Sequence, residues 1–202
     1  RHLHIPLQAG DDTILRRMRR KYTTEQYAEK IASIHQAMPG VAITSDIIVG
    51  FPGETEEHFQ RGYDFIERMN FSELHVFPYS KRTGTQAARM DDQVDEEVKN
   101  ERVHALIDLS EKLQLKYAKA HVGEVVSVIP ERSRKGLKDG EIAGYSDNYL
   151  QVIFNGSEEM IGEICNVKIT QAGVNECRGE LISSSEPRPL VAREQAPVST
   201  AT

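Results

Sequence analysis

Two short stretches carry the residue types that do chemistry. His2-Leu3-His4 sets two imidazoles on one face of a strand-like run. Asp46 stands as a lone carboxylate inside the apolar run from Val41 to Val49. Imidazole is a common metal ligand, and His75 and Asp46 would extend the pair to a set. A barrel metal centre of that kind needs further His and Asp at later strand ends. His35, His58 and His104 fall on helical patterns instead, so a hydrogen-bonded histidine pair without metal is the expectation. Burying Asp46 unpaired would cost several kcal/mol, so it requires a hydrogen-bond partner, water or a ligand. Gly50-Phe51-Pro52-Gly53-Glu54 follows at once. A turn so bare lets a ligand approach the backbone, because glycine puts no side chain in the way. It also suits a plain strand-to-helix turn.

The elements that must position these residues read as three strand-helix units. "HLHIPLQ", "VAITSDIIVG" and "LHVFPY" are strand-like, and each alternates an apolar face with a partly polar one. In the first, Leu3, Ile5 and Leu7 oppose His2, His4, Pro6 and Gln8; in the second, Thr44, Asp46, Ile48 and Gly50 share the mixed face; in the third, His75, Phe77 and Tyr79 share it. Helices are expected over Thr13 to Arg20, after the Thr23/Gln26 capping box, after Thr55, and over Asp92 to Ala120. Such repeats imply a parallel sheet, with any site at the carboxyl ends of its strands. There sit Gln8, the Gly50 to Glu54 turn, and Tyr79-Ser80.

From His121 the rhythm changes to about five short runs broken by Gly, Asn and Asp, which reads as a small closed β-barrel. The expected division is 1–120, 121–183 and a disordered tail over 184–202, rich in Ser, Pro and Ala. With 202 residues, 39% hydrophobic and 28% charged, the composition is ordinary for a globular protein. No apolar run approaches the ~18 residues of a membrane span, and no membrane partner is expected. The start is not Met and lies within a strand pattern, so a piece of a longer protein is expected. Cys165 and Cys177 fit no metal spacing and read as small core residues in a reducing, cytoplasmic compartment. Net charge is −6, without the basic character of a general nucleic-acid binder. "RRMRRK", Arg16 to Lys21, reads as a solvated helix or loop.

"RHLHIPLQAGDDTILRRMRRKYTTE", "SDIIVGFPGET" and "HVFPYSKRTGTQAARM" resemble consecutive landmarks of the radical S-adenosylmethionine methylthiotransferases. The third is nearest to the type that modifies threonylcarbamoyladenosine beside the tRNA anticodon. The barrel from His121 to Ile182 is similar to the TRAM module that ends these enzymes and contacts tRNA. The resemblance implies an α/β fold: the last three units of a partial (βα)6 barrel, then a TRAM-like barrel. It implies S-adenosylmethionine and two [4Fe–4S] clusters in the intact parent, with the cluster cysteines upstream and none supplied here, so that this piece alone is inactive. The upstream domains of the same polypeptide and the anticodon region of tRNA are the implied partners.

By the same resemblance Ile48, Gly50, Phe51, Pro52 and Gly53 lie along the cofactor's adenine. Gln8 is a polar contact, and Asp46 anchors a hydroxyl or ammonium. Phe77 and Tyr79 wall the substrate cavity, and Arg82 meets phosphate or a substrate carboxylate. Two departures, Ala9 and Asp11 for serines and Gln86 for proline, touch the detail of these contacts. The barrel carries six basic against ten acidic residues, a net of −4, which argues against uniform RNA affinity. Its basic residues cluster at Arg132, Arg134 and Lys135, a local tRNA contact or a solvated loop. A relative acting on a ribosomal protein and a non-catalytic RNA-binding module are the alternatives.

Overall fold

The computed structural model of the chain describes residues 1–132 and 136–184. Its first part is a parallel sheet in the order β1 (His2–His4), β2 (Ala42–Val49), β3 (Glu73–Pro78). Helices α1 (Asp12–Arg17) and α2 (Thr24–Ala37) join the first two strands, and α3 (Glu56–Arg68) joins the next two. A long α4 (Glu96–Ala120) follows β3. Each helix start has a local cause. The Asp11 carboxylate accepts from the backbone N–H of Thr13 and Ile14. Thr23 and Gln26 form the expected capping box, and Thr55 forms a second one with the His58 imidazole in the usual Glu/Gln place.

Ile43, Ile47 and Val49 of β2 pack with Ile66, Leu106 and Leu109 of α3 and α4 in the main core. That is the apolar face expected from the alternation, and helices cover it. The first strand departs from expectation. Regular pairing ends at His4, and Ile5 N–H donates to Thr44 O while Gln8 N–H donates to Asp46 O. Three residues on one side thus span two on the other, a bulge at a segment where Pro6 has no N–H to give. Gln8 re-joins β2 opposite Ile47 with φ 72°, in the left-handed region. α1 stops at Arg17 rather than Arg20, and Arg19 has φ 58°. α4 begins at Glu96 rather than Asp92, whose carboxylate is engaged elsewhere.

The second part is a closed five-stranded barrel: β4 (Val125–Pro130), β5 (Glu141–Ser146), β6 (Gln151–Asn155), β7 (Cys165–Gln171) and β8 (Cys177–Ser184). The order is β4-β5-β6-β8-β7, with β7 returning to β4, so each strand has two neighbours. Val128, Val152, Phe154 and Val167 fill it, together with both cysteines, whose thiol pKa values burial pushes up. Tyr117 of α4 ties the parts together: its hydroxyl lies 3.0 Å from Gly40 O and 3.1 Å from Asn148 O. The tail expected over 184–202 lies, beyond Ser184, outside the described residues.

Candidate functional site

The uncovered face of the sheet gathers the polar residues of all three strands. In the ladder His4 stands beside Thr44, Asp46 beside His75, and Ile48 beside Phe77. Neighbours in register point the same way, so these six share one face. Thr44 Oγ1 lies 2.9 Å from His2 Nε2 and 2.9 Å from His4 Nδ1. A hydroxyl donates once and accepts twice, so one buried threonine orients both rings. His4 Nε2 then lies 3.3 Å from Asp46 Oδ2. The histidine pair is hydrogen-bonded through Thr44, and Asp46 has the partner that its position demanded. His4, Asp46 and His75 each offer a ligand atom within 4.8 Å of the others, so three of the four residues weighed as a set come together, without His2.

At the carboxyl ends of the strands lies a cleft of about 300 Å³. Ile48, Phe51 and Tyr79 form its apolar wall, with Arg17 and Arg20 opposite. Phe51 and Tyr79 meet edge to face at 5.2 Å. Gln8 belongs to the same mouth because Arg20 Nη2 donates to its Oε1 at 2.9 Å. Tyr79 Oη is buried without a hydrogen-bond partner, a polar group that a bound molecule could satisfy. The basic run expected to be solvated is therefore partly engaged. Arg17 Nε donates to Pro52 O at 2.8 Å and its Nη2 to Asp92 Oδ1 at 2.7 Å. Five cations in six residues just beyond a strand end were the available signal for Arg17 and Arg20.

The glycines of the turn serve the protein's own side chains first. Gly50 has φ 69°, and a Cβ there would overlap Lys99 Cγ; Gly53 has φ 84°, and a Cβ would meet the Arg17 guanidinium. Gly50 N–H donates to Glu54 Oε1 at 2.8 Å, and Gly53 N–H donates to Asp92 O at 2.8 Å. Glu54 is buried and accepts from Arg102 Nη1 at 2.8 Å, an ion pair with 5% exposure on both sides. Burial pushes the Glu54 pKa up, while the Gly50 N–H and the Arg102 guanidinium pull it back. Lys99, also buried, pairs with Glu96 at 2.7 Å. Lys99 and Arg102 were missed as turn supports. Their spacing places them on the same helical stripe as Leu106, Leu109 and Leu113, and two cations on an apolar stripe were the sign.

The other expected residues do not meet at this mouth. Asp46 sits lower, at the middle of β2. Phe77 is on the open face and 51% exposed. Arg82 is exposed in the loop after β3, its carbonyl accepting from Thr85 Oγ1. Arg132 is exposed on the barrel, and Arg134 and Lys135 lie outside the described residues.

Comparison with known proteins bears on both parts. The Radical SAM superfamily matches residues 1–66, and the TRAM domain matches residues 119–182. The chain is 56% identical over 182 residues to the threonylcarbamoyladenosine tRNA methylthiotransferase MtaB of Bacillus subtilis (strain 168), covering 90% of this chain and 40% of that protein. It is 45% identical over 181 residues to the tRNA-2-methylthio-N(6)-dimethylallyladenosine synthase of Thermoanaerobacter sp. (strain X514), covering 90% of this chain and 38% of that protein. A solved structure of coproporphyrinogen III oxidase (HemN) from Escherichia coli aligns with TM-score 0.49 at 18% identity, over 84% of this chain and 40% of that one. The chain thus spans 40% or less of the length of these two curated relatives. Residues 1–66 thus resemble the Radical SAM superfamily and residues 119–182 the TRAM domain, and nine-tenths of the chain aligns with tRNA-modifying relatives of both kinds named above.

Proposed function

We propose that this chain is the carboxy-terminal part of an enzyme that adds a methylthio group at C2 of threonylcarbamoyladenosine beside the anticodon of tRNA. The observation that carries the reading is 56% identity, across 90% of the chain, to a relative named for that reaction. The mouth supports it. Ile48 offers a flat aliphatic surface to an adenine, Phe51 and Tyr79 close one side, and Tyr79 Oη has a hydrogen bond to give. Gln8 and Arg20, already bonded to each other, present an amide and a guanidinium toward hydroxyl or carboxylate groups.

These residues fit S-adenosylmethionine, which on reductive cleavage supplies a 5′-deoxyadenosyl radical. What this chain adds is binding and orientation. The Gly50 to Gly53 turn, braced by Lys99 and Arg17, would lie along the adenine, and Asp46, braced by His4, would offer a fixed carboxylate on the same sheet face as Ile48. Phe77, exposed on the open face, and Arg82, exposed in the loop after β3, are assigned by this reading to the modified base. The residues do not fit the two iron–sulfur clusters. Cys165 and Cys177, the two cysteines of the chain, are packed in the barrel core away from the mouth. The cluster ligands, and the remaining wall of the hollow, belong to upstream domains of the same polypeptide in this reading, and tRNA is the partner.

Nucleoside mass spectrometry of tRNA tests it, comparing a strain that lacks the full-length gene with the same strain complemented. The expected result is loss of the 2-methylthio group from threonylcarbamoyladenosine and its return on complementation. An unchanged methylthio level overturns the proposal.

A further inference from the structure

The barrel's acidity poses a question that the TRAM match sharpens: how does a surface of net charge −4 hold a polyanion? Phosphate contacts are driven by cations. A second route to single-stranded nucleic acid is stacking, because every base has a π-face. The seam between the barrel and the amino ends of the strands has the parts for it.

Three rings stand there in a column. His2 and Tyr149 stack at 3.9 Å with planes 10° apart, and Tyr149 stacks on Tyr145 at 5.1 Å and 24°. Tyr149 has φ 66°, a left-handed conformation that a bulky residue adopts only when its surroundings impose it. The imposing structure is a tight turn. Tyr149 N–H and Leu150 N–H both bond Ser146, and the Ser146 hydroxyl lies 2.6 Å from the fully buried Asn148 amide oxygen. Tyr145 ends the column and remains 40% exposed. Beside it opens a cleft of about 340 Å³, a volume at the low end for small ligands. Its polar walls are amides and carboxylates, Gln114, Gln151, Asn175 and Glu73 among them, and among the described residues no Lys or Arg lines it. Such a lining repels phosphate and suits the edge of a base that presents an exocyclic amino group.

We infer that Tyr145 is a stacking platform for one unpaired, amino-bearing base of the RNA, whose edge enters the cleft beside Tyr149. This rests on the tRNA reading above. It assigns the barrel's grip to ring stacking at the seam rather than to its basic loop.

The test is equilibrium binding of the full-length protein to tRNA from the deletion strain, at several salt concentrations, for wild type, Tyr145→Ala and Tyr145→Phe. Tyr145→Ala is expected to weaken binding roughly 5- to 150-fold, the value of one base–aromatic stack. Tyr145→Phe keeps the ring and is expected to bind within about twofold of wild type. The slope of log affinity against log salt stays the same in all three, because no phosphate contact is removed. Wild-type affinity in Tyr145→Ala overturns the inference and leaves the tRNA reading standing. A lowered melting temperature in that variant with unchanged RNA affinity also overturns it, since the ring then packs against protein. Wild-type protein that does not bind this tRNA overturns both.

Discussion

In the TRAM barrel every strand has two neighbours, and the core cluster that fills it is apolar. The three-stranded sheet is built the other way. Among the described residues β1 and β3 each have one strand neighbour, one face is covered by helices, and the other carries His4, Asp46, His75 and a half-exposed Phe77. Closure removes edges and stabilises a small domain without outside help. On the polar face of the sheet, side chains of neighbouring strands stand in fixed register. The barrel thus packs an apolar core inside closed strands, whereas the sheet lines up polar groups along one uncovered face.

The largest test of that contrast is at the mouth. Arg102→Ala leaves Glu54 buried without its partner and is expected to cost about 3–5 kcal/mol in chemical denaturation. The double variant Glu54→Gln/Arg102→Met is expected to recover most of the loss, because it leaves no unpaired charge. In the barrel, Ile169→Ala opens a plain apolar cavity and is expected to cost about 3 kcal/mol. No polar double variant would rescue it. If both sites responded alike to polar repair, the contrast would fail.

The smallest effect is in pH. Burial raises the folded-state pKa of Glu54 above its unfolded value, so the folded state holds this proton to higher pH. Stability from this group is therefore greatest at acid pH and falls as pH rises from the ordinary carboxylate range through the raised value. Glu54→Gln is expected to flatten that part of the stability–pH curve. An identical slope in the variant would assign it to other groups.

Most of the fold was legible in the residues because local rules and tertiary packing agreed. The capping threonines, the alternation of β2 and the apolar stripe of α4 each had one reading. Reading failed where a rule of period met a tertiary exception. Alternation carried β1 on to Gln8, but Pro6 and the bulge broke the period and turned Gln8 left-handed. The glycines of the turn read as room for a ligand, although Lys99 from a helix about fifty residues later occupies the space at Gly50. Pairs distant in sequence, such as Glu54 with Arg102, leave no local trace beyond a cation where an apolar residue would be expected. The polar face and its mouth were legible as a pattern; their bracing was not.

The central claim is that the open face and its mouth hold the adenosyl part of the cofactor. Its most direct test is equilibrium binding of S-adenosylmethionine to the cluster-loaded full-length protein, wild type against Ile48→Asp and Ile48→Val. A carboxylate at Ile48 stands on the open face and not in the helix-covered core, so the fold is expected to persist, checked by melting. The account predicts that Ile48→Asp weakens binding about tenfold or more, by losing apolar contact and adding a charge, and that Ile48→Val binds nearly as wild type. Equal affinity in all three would place the cofactor elsewhere and contradict it.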